Sequence, residues 1–244
     1  MMDLTGRVAV VTGGSRGIGY AIADALAGAG ASVVIGARTA GDVERAAREL
    51  EKKHPAARCI GVRCDVRSRE DCESLIERAA AELGGIDILI NNAGIGRFAT
   101  VEEMSAEDWD AVIGTNLNSA FYCTHAALPH LKKNAAGWVI NIGSLAGKNP
   151  FARGAAYNAS KFGLLGFSEA LMLEVRQDGV RVSCIMPGSV ATAFSHPDNT
   201  SKTGEEWKIG AEDVARIVLD LLAMPERTLP SRIEVRPSRP QKSW

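Results

Sequence analysis

Residues 8–19 read VAVVTGGSRGIG, an apolar, β-branched run that passes directly into a glycine-rich loop. The run predicts a buried strand, and the residues after the loop have the pattern of a helix. Gly13 would allow the tight turn, Gly17 would let backbone N–H groups approach a pyrophosphate, and Gly19 would let the helix pack close to the strand. The glycine spacing is G-x3-G-x-G and not the more general G-x-G-x-x-G. A strand, such a loop and a helix in this order still predict a nucleotide-binding fold.

Similar apolar runs alternate with helical patterns along the rest of the chain. We predict strands at residues 7–11, 32–37, 58–64, 86–90, 138–142, 180–186 and 232–235. We predict helices at residues 17–29, 41–53, 69–83, 106–132, 155–177 and 211–222. Each strand is short and apolar on both faces, so the alternation indicates right-handed crossovers and helices on both faces of a parallel sheet. We therefore expect the α/β class, as one Rossmann-like, doubly wound domain over residues 1–244 with a seven-stranded parallel sheet.

The composition and net charge of the chain limit the partners, the cellular location and the metal sites that we expect. The 244 residues carry a net charge of −1, and 46% of them are apolar, so a large core can form without an electrostatic reason to bind nucleic acid or an anionic membrane. No signal peptide and no apolar run of about 18 residues is present. The five cysteines are odd in number and lack metal-ligand spacing, which predicts reduced thiols in a cytoplasmic protein and no metal site.

The end of the second strand indicates the coenzyme. Sites for NAD usually place an acidic residue there, on the ribose 2′-hydroxyl, but this strand ends at Arg38 and Thr39, and no acid follows before Asp42. Arg38 and Arg16 could both meet a 2′-phosphate, which predicts NADP(H). The alternative is that both arginines are only surface charges.

Residues after the third and fourth strands extend this site. Asp65 could reach the adenine, with Val66 lining the ring, although Asp65 could also be a turn or helix-capping residue. Asn92, Ala93 and Gly94 suit a backbone that skirts a cofactor while it joins adjacent strands.

Tyr157 and Lys161 are four residues apart on a predicted helix, so they share one face. A phenol titrates near ~10, and a nearby ammonium would lower that pKa and make Tyr157 a usable proton donor or acceptor. Ser144 lies thirteen residues before the tyrosine. Such a pair alone is weak, because any long helix can carry one by chance.

Taken together, these motifs resemble the short-chain dehydrogenase/reductase family of the ~250-residue type. The resemblance covers roughly residues 4–237, and its elements occur in family order: the loop at 12–19, Asp65, 91–94, Asn116, Ser144, Tyr157, Lys161 and 187–192. It implies a cytoplasmic oxidoreductase that uses NADP(H) to interconvert a small-molecule carbonyl compound and a secondary alcohol.

The resemblance also implies a role for each matched residue. Tyr157 would give the proton to the carbonyl oxygen, Lys161 would hold the nicotinamide ribose, and Ser144 would orient the carbonyl. Asn116 would anchor a water that links Lys161 to solvent, or it could simply satisfy an irregular helix. Ser144 could likewise be only a strand-end cap. The expected coenzyme-binding residues are Gly13, Ser15, Arg16, Gly17, Ile18, Gly19, Arg38, Thr39, Asp65, Val66, Asn92, Ala93, Gly94, Tyr157, Lys161, Pro187, Gly188, Val190 and Thr192.

Two departures from the family pattern bear on the substrate. Gly143 stands where many relatives have a second serine, and residues 233–237 lack the glycine-rich ending of the acyl-carrier-protein reductases. A 3-oxoacyl-thioester reductase is therefore the second interpretation, and a cofactor-binding sensor without catalysis is the remote one.

Residues 193–210 are polar and would form a substrate lid, with Phe194 and Trp207 closing on the substrate or packing on the protein itself. Other lining candidates are Ile95, Arg97, Leu145, Phe151 and Arg153, and a surface role is favoured for the two arginines. The helix at 155–177 is apolar on much of its circumference, so one side is expected to pack on the sheet and the other on a second copy. The resemblance agrees and implies a homotetramer, or else a homodimer.

Overall fold

One parallel sheet organises the residues that the computed structural model describes, which are 2–133, 136–192 and 206–240. Its strands are β1 (Val8–Thr12), β2 (Ser32–Ala37), β3 (Cys59–Arg63), β4 (Ile88–Asn91), β5 (Trp138–Ile142), β6 (Arg181–Pro187) and β7 (Arg232–Val235). They lie in the order β3-β2-β1-β4-β5-β6-β7, and every neighbouring pair is parallel. The predicted fold class is confirmed, and the predicted strand ends lie within two residues of these bounds.

Helices cover both faces of the sheet. They are α1 (Gly17–Gly28), α2 (Ala40–Lys53), α3 (Arg69–Leu83), α4 (Ala106–Ile113), α5 (Ser119–Leu131), α6 (Ala155–Val175) and α7 (Ala211–Leu222). One apolar cluster joins α1, α2 and α7 to the sheet, and a second joins α3, α5 and α6 to its other face. Ser68 caps α3, because its side chain accepts a hydrogen bond from the Asp71 N–H.

The crossover from β6 to β7 departs from the prediction of uniformly right-handed connections. It moves the chain in the same direction as the β4–β5 and β5–β6 crossovers, yet α7 lies on the opposite face from α5 and α6. Its hand is therefore opposite to theirs. Residues 188–210 separate β6 from α7, a length of chain that allows the change of face.

The span predicted as one helix, residues 106–132, is helical from 106 to 131 but is not one regular α-helix. The structure has α4, then a π-helical turn at Gly114–Asn118, then α5. Tertiary contacts hold the turn, since the Asn116 side chain bonds the Ile95 backbone and the Ser160 hydroxyl. Within the segment itself, Ser119 Oγ donates to the Thr115 carbonyl at 2.6 Å. A π turn at such a place is often functional.

The prediction that every strand is buried on both faces fails at β7. Its residues alternate between exposed and half-buried, whereas those of β1, β4 and β5 are all buried. The reason is position, since β7 is an edge strand of the sheet. Within the described ranges, no helix is long and apolar enough to cross a membrane.

Candidate active site

A cleft of about 1230 Å³ opens where the sheet order reverses between β1 and β4, lined by residues that follow the carboxyl ends of the strands. Doubly wound sheets bind their ligands at this place. Every residue expected to act in catalysis or coenzyme binding lines the cleft, except Gly19 and Asn116. Those two contact its lining residues instead, Gly19 against Gly13 and Asn92, and Asn116 against Ile95.

The glycine loop has the backbone that a pyrophosphate requires. Gly13 and Gly17 have φ values of +65° and +57°, which side chains disfavour. A Cβ on Gly19 would lie 2.4 Å from both Asn92 Nδ2 and the Gly13 carbonyl oxygen, so this glycine allows the close helix packing that was predicted. The N-cap residue Arg16 makes no side-chain hydrogen bond to the first turn of α1. The N–H groups of that turn therefore suit an anionic ligand, as a dinucleotide would provide.

The second strand delivers Arg38 and Thr39 to one end of the cleft, where Arg16 joins them from the glycine loop. Both arginines are exposed. Asp42 also lines this end, but its carboxylate accepts a hydrogen bond from Arg45 at 2.8 Å. Asp42, the acid nearest to the end of β2, is thus paired with Arg45, while the positively charged Arg16 and Arg38 line the cleft.

Asp65 is a turn residue, the alternative considered for it, and its expected contact with the adenine stays a prediction. It lines the cleft with Val66, and it also accepts hydrogen bonds from the Arg67 N–H and guanidinium at 3.1 and 2.7 Å. The Arg67 guanidinium lowers the pKa of this carboxyl, with a smaller contribution from the charge of Arg38. Asp65 is therefore an ionised turn residue at the cleft wall.

The segment after β4 ties the cleft floor to β1. Thr12 Oγ1 accepts from the N–H groups of Asn92 and Ala93 at 3.0 and 3.1 Å, and Asn92 Nδ2 donates to the Thr12 carbonyl at 2.9 Å. A Cβ on Gly94 would lie 3.5 Å from Asn116 Oδ1 and 3.8 Å from Lys161 Nζ. Gly94 therefore leaves open space beside those two polar groups.

Asn116 sits in the π turn with both ends of its amide in use. Its Oδ1 accepts from the Ile95 N–H at 2.8 Å, and its Nδ2 donates to the Ile95 carbonyl at 2.9 Å and to Ser160 Oγ at 3.0 Å. Ser160 in turn donates to the Tyr157 carbonyl at 2.8 Å. Asn116 thus joins the irregular turn to the loop of Ile95 and to α6, and its expected role as the anchor of a water stays a prediction.

Tyr157 projects into the cleft from the first turn of α6, and its phenol forms a hydrogen bond with Ser144. Ser144 also caps the 3-10 turn at Leu145–Gly147, since its hydroxyl accepts from the Ala146 N–H at 3.1 Å. Burial raises the pKa of the Tyr157 phenol, and the hydrogen bond to Ser144 offsets only part of this. The expected lowering by Lys161 is wrong for the protein by itself, because desolvation of the phenol dominates.

Lys161 is only 5% exposed and lies one turn after Tyr157, with its Nζ 5.8 Å from the centre of the tyrosine ring. The ammonium donates to the Ile142 carbonyl at 2.9 Å. Burial lowers its pKa from an ordinary 10.5 to about 8. A phenol, a hydroxyl and an amine that titrates near neutral pH therefore line one cleft, an arrangement suited to proton transfer.

Gly143, the departure noted before Ser144, has a steric cause. A Cβ there would lie 2.8 Å from Cys184 Sγ and 3.2 Å from both the Ile185 carbonyl oxygen and Met186 Cγ. The Cys184 thiol on the neighbouring strand thus fills the space that a serine side chain would need.

The other end of the cleft is lined mainly by apolar side chains. Ile95, Leu145 and Phe151 line it as predicted, and Trp207 of the expected lid lines it too. The arginines do not: Arg97 pairs with Asp108 and Arg153 with Glu103, each at 3.3 Å, in keeping with the favoured surface role. Of the predicted lid, residues 193–205, with Phe194, lie outside the described residues.

Two features of this end were not foreseen. Phe98 packs its ring on Tyr157, with centroids 5.7 Å apart. The C-terminal segment also lines the cleft, through Arg236, Pro237 and Pro240. The aromatic residue four places after Gly94 was the available signal for the first feature. The C-terminal segment reaches the cleft because the Gly188 N–H, just after β6, donates to the Val235 carbonyl of β7 at 2.8 Å. Local sequence does not indicate this contact.

Comparison with known proteins identifies the family of the chain. The family model described as short chain dehydrogenase matches residues 7–203. D-beta-hydroxybutyrate dehydrogenase of Cupriavidus necator is 39% identical over 189 residues, which span 78% of this chain and 72% of the relative.

Solved structures agree over nearly the whole length. A metagenomic short-chain oxidoreductase in complex with NADP is 36% identical, with a TM-score of 0.83 and coverage of 97% of this chain and 99% of the other. The alcohol dehydrogenase of the archaeon Thermococcus sibiricus, complexed with 5-hydroxy-NADP, is 28% identical, with a TM-score of 0.89 and coverage of 98% and 99%. On the family match and these likenesses, the chain belongs to the short-chain dehydrogenase family of oxidoreductases.

Proposed function

We propose that this protein is an NADP(H)-dependent oxidoreductase that interconverts a ketone and a secondary alcohol. The observation that carries the proposal is one continuous cleft, with Arg16 and Arg38 at one end and Ser144, Tyr157 and Lys161 towards the other. The first pair matches a 2′-phosphate in charge, and the three polar groups can bind and protonate a carbonyl oxygen.

The side chains would act in sequence during reduction. When bound, NADPH supplies the hydride that the carbonyl carbon receives. The Ser144 hydroxyl would hold the carbonyl oxygen, and the Tyr157 phenol would give its proton to that oxygen to complete the alcohol. Because burial raises the pKa of Tyr157, the phenol keeps its proton at neutral pH until it is needed.

Lys161 and Asn116 would restore that proton. The pKa of Lys161, about 8, allows its ammonium to release a proton near neutral pH. A water between Lys161 and Asn116, in the space that Gly94 leaves open, would complete the path to solvent. This relay is a proposal from proximity and chemistry.

The direct test is Tyr157→Phe. We expect turnover to fall by about 10²–10⁴-fold, the range of general acid–base catalysis, while NADPH affinity is retained. Tyr122→Phe is a matched control, because Tyr122 is a partly buried tyrosine on α5 that packs in the core opposite α1 and does not line the cleft. Equal turnover in wild type and Tyr157→Phe would remove Tyr157 from the mechanism.

The coenzyme is tested separately by fluorescence titration with NADPH and NADH. We expect tighter binding of NADPH, supported by the NADP found in the structural relative at 36% identity. Arg38→Ala should weaken NADPH binding by roughly tenfold or more and leave NADH nearly unchanged, since a charge-assisted contact contributes about 1.5–3 kcal/mol. Arg48→Ala, which removes an exposed arginine of α2 outside the cleft, serves as control. Tighter binding of NADH by the wild type would reject the NADP(H) preference.

Two alternatives remain within reach of the same assays. Turnover of an acetoacetyl thioester well above that of simple ketones would favour a 3-oxoacyl-thioester reductase. Tight NADPH binding without turnover of any carbonyl compound would favour a sensor.

We also propose that the protein forms a homotetramer or a homodimer through α5 and α6. Phe162 and Leu173 on α6 are 45% and 57% exposed, and Phe121 on α5 is half exposed beside Phe167. Such apolar side chains on adjacent helices suit a contact between two copies. Light scattering measures the mass, and a monomer at micromolar concentration would contradict the proposal.

A cytoplasmic location stays a prediction, supported by five cysteines that are free and buried.

A further inference from the structure

Two phenylalanines form an apolar surface that begins at the catalytic tyrosine. Phe98 follows β4 and Phe151 follows β5, and their ring centres are 5.8 Å apart. Phe98 also meets the Tyr157 ring edge-on, at 5.7 Å and an interplanar angle of 69°. We call Phe98 and Phe151 the aromatic wall.

The wall is held in place by the backbone around Gly154. A Cβ on Gly154 would lie 2.5 Å from the Phe151 ring, so the ring packs directly on this glycine. Asn158 Oδ1 accepts from the Phe151 N–H at 3.3 Å, while Asn158 Nδ2 donates to the Ala146 carbonyl at 2.7 Å. A β-bridge joins Ala99 to the same Gly154, which ties the loop of Phe98 to the loop of Phe151. The wall is therefore preorganised and not a chance meeting of two surface rings.

Both rings retain exposed surface, Phe151 within the cleft and Phe98 beside it, since Phe98 contacts Phe151 and Tyr157 but does not itself line the cleft. Phe98 is 50% exposed and Phe151 is 47% exposed, and Phe151 lines the cleft. Exposed apolar surface that is continuous with a binding cleft is the kind that a ligand covers.

The charges around the wall do not favour an anionic substituent. The nearby cations Arg97 and Arg153 are paired with Asp108 and Glu103 and do not line the cleft. Arg236 lines it, but its guanidinium is 2.9 Å from the Glu234 carboxylate. Among the described residues, Lys161 also lines the cleft, and its ammonium bonds the Ile142 carbonyl. The remaining charged lining residues lie near the glycine loop and the ends of β2 and β3, and they are Arg16, Arg38, Asp42, Arg45 and Asp65.

We propose that the substrate carries an aromatic or comparably bulky apolar group on its carbonyl carbon, and that this group packs against Phe98 and Phe151. With the carbonyl oxygen at Ser144 and Tyr157, a substituent on the carbonyl carbon comes beside the Tyr157 ring, where the wall begins. Aromatic rings prefer the edge-to-face and offset geometries that these two rings offer. The inference rests on the proposed ketone reduction and names its substrate class.

The test compares kcat/KM for three ketones with NADPH as coenzyme: acetophenone, butan-2-one and 3-oxobutanoate. We expect acetophenone to exceed the other two by about tenfold or more, since small changes in apolar contact in a pocket change kcat/KM by roughly 10–200-fold. Phe98→Ala should lower kcat/KM for acetophenone by about tenfold and change that for butan-2-one by no more than about twofold. Phe151→Ala should act in the same direction, and Phe98→Leu should lie between wild type and Phe98→Ala.

Val101→Ala is the matched control, because it truncates an 80% exposed apolar side chain three residues after Phe98 that does not line the cleft. An equal loss for acetophenone and butan-2-one in Phe98→Ala would mean that the ring only supports Tyr157, and would overturn the inference. A preference of the wild type for 3-oxobutanoate would overturn it too. If instead the proposed function is wrong, the wild type binds NADPH but reduces none of the three ketones.

Discussion

Replacing Lys161 by methionine should change the stability of the protein in a way that depends on pH, because it removes a buried charge; it also removes a residue proposed above to take part in turnover. Lys161 is buried, and burial lowers the pKa of its amine from 10.5 to about 8. At 1.36 kcal/mol for each pKa unit, holding the ammonium inside the folded protein costs about 3 kcal/mol. Methionine has a similar length and no charge, so it avoids this cost.

The sign of the effect follows from the two pKa values. Below pH 8 the lysine is charged in both the folded and the unfolded chain, and the folded state bears the full cost. Between pH 8 and 10.5 the folded protein releases its proton before the unfolded chain does, so the cost shrinks, and above 10.5 it vanishes. The advantage of Lys161→Met should therefore fall from about 3 kcal/mol at pH 7 to about 1.4 kcal/mol at pH 9.5.

A second contribution is independent of pH. The Lys161 amine donates to the Ile142 carbonyl, and methionine would leave that oxygen without its donor, at a cost of roughly 1–3 kcal/mol. The absolute stability of the variant at one pH thus combines two opposing effects. The change between pH 7 and 9.5, about 2 kcal/mol, isolates the charge.

Urea denaturation of wild type and Lys161→Met at both pH values measures this change. Lys52→Met removes an exposed lysine at the end of α2 and controls for the loss of one positive charge. A stability difference between Lys161→Met and wild type that is the same at pH 7 and 9.5 would refute the reasoning, because it would mean that the buried amine carries no excess cost of charge.

Two further predictions test the packing behind the site. Gly143→Ser should destabilise the protein by about 1–3 kcal/mol, because the serine Cβ would lie 2.8 Å from the Cys184 thiol. Adding Cys184→Ala to this variant should recover part of the lost stability, and no recovery in urea denaturation would speak against the clash. Asn141→Ala should cost roughly 1–3 kcal/mol while kcat stays near that of wild type, because Asn141 accepts from Asn91 and donates to Ser168, both at 2.8 Å, in the buried layer under the cleft. Equal stability in thermal unfolding would show that this network contributes nothing.

The strands and the glycine loop were predictable because local signals determine them. A buried parallel strand must be apolar on both faces, and β1 can be recognised from Val8, Val10 and Val11 alone. The roles of Gly13 and Gly19 follow from a turn and a close approach that other residues cannot make. Tyr157 and Lys161 could be paired because helical spacing places them on one face, whereas Ser144 and the roles of all three residues came from the resemblance to the family.

The π turn and the aromatic wall depend on contacts that are distant in sequence. Asn116 is drawn out of a regular helix by Ile95 and Ser160, which are 21 and 44 residues away. Phe98 meets Tyr157 only after two loops have been joined through the Ala99–Gly154 bridge. No periodicity in residues 93–118 encodes either contact.

The pKa of Tyr157 shows that a residue can lie in the expected cleft while the electrostatic prediction made for it is wrong. A tyrosine beside a lysine suggests a lowered pKa only if the ammonium is charged and close to the phenol oxygen. Here the lysine bonds the Ile142 carbonyl and its own pKa is lowered by burial, so the desolvation of the phenol dominates. Burial depth cannot be read from a four-residue spacing.

The identity of Gly143 can be explained only together with that of Cys184 on the neighbouring strand. Gly143 alone looks like a lost serine, and Cys184 alone looks like an ordinary buried thiol. The pairing of β5 with β6 places the thiol 2.8 Å from the point where a Cβ of residue 143 would stand, so the two positions share one volume. A serine at position 143 therefore requires a smaller residue at position 184, a constraint between strands that no single stretch of sequence can express.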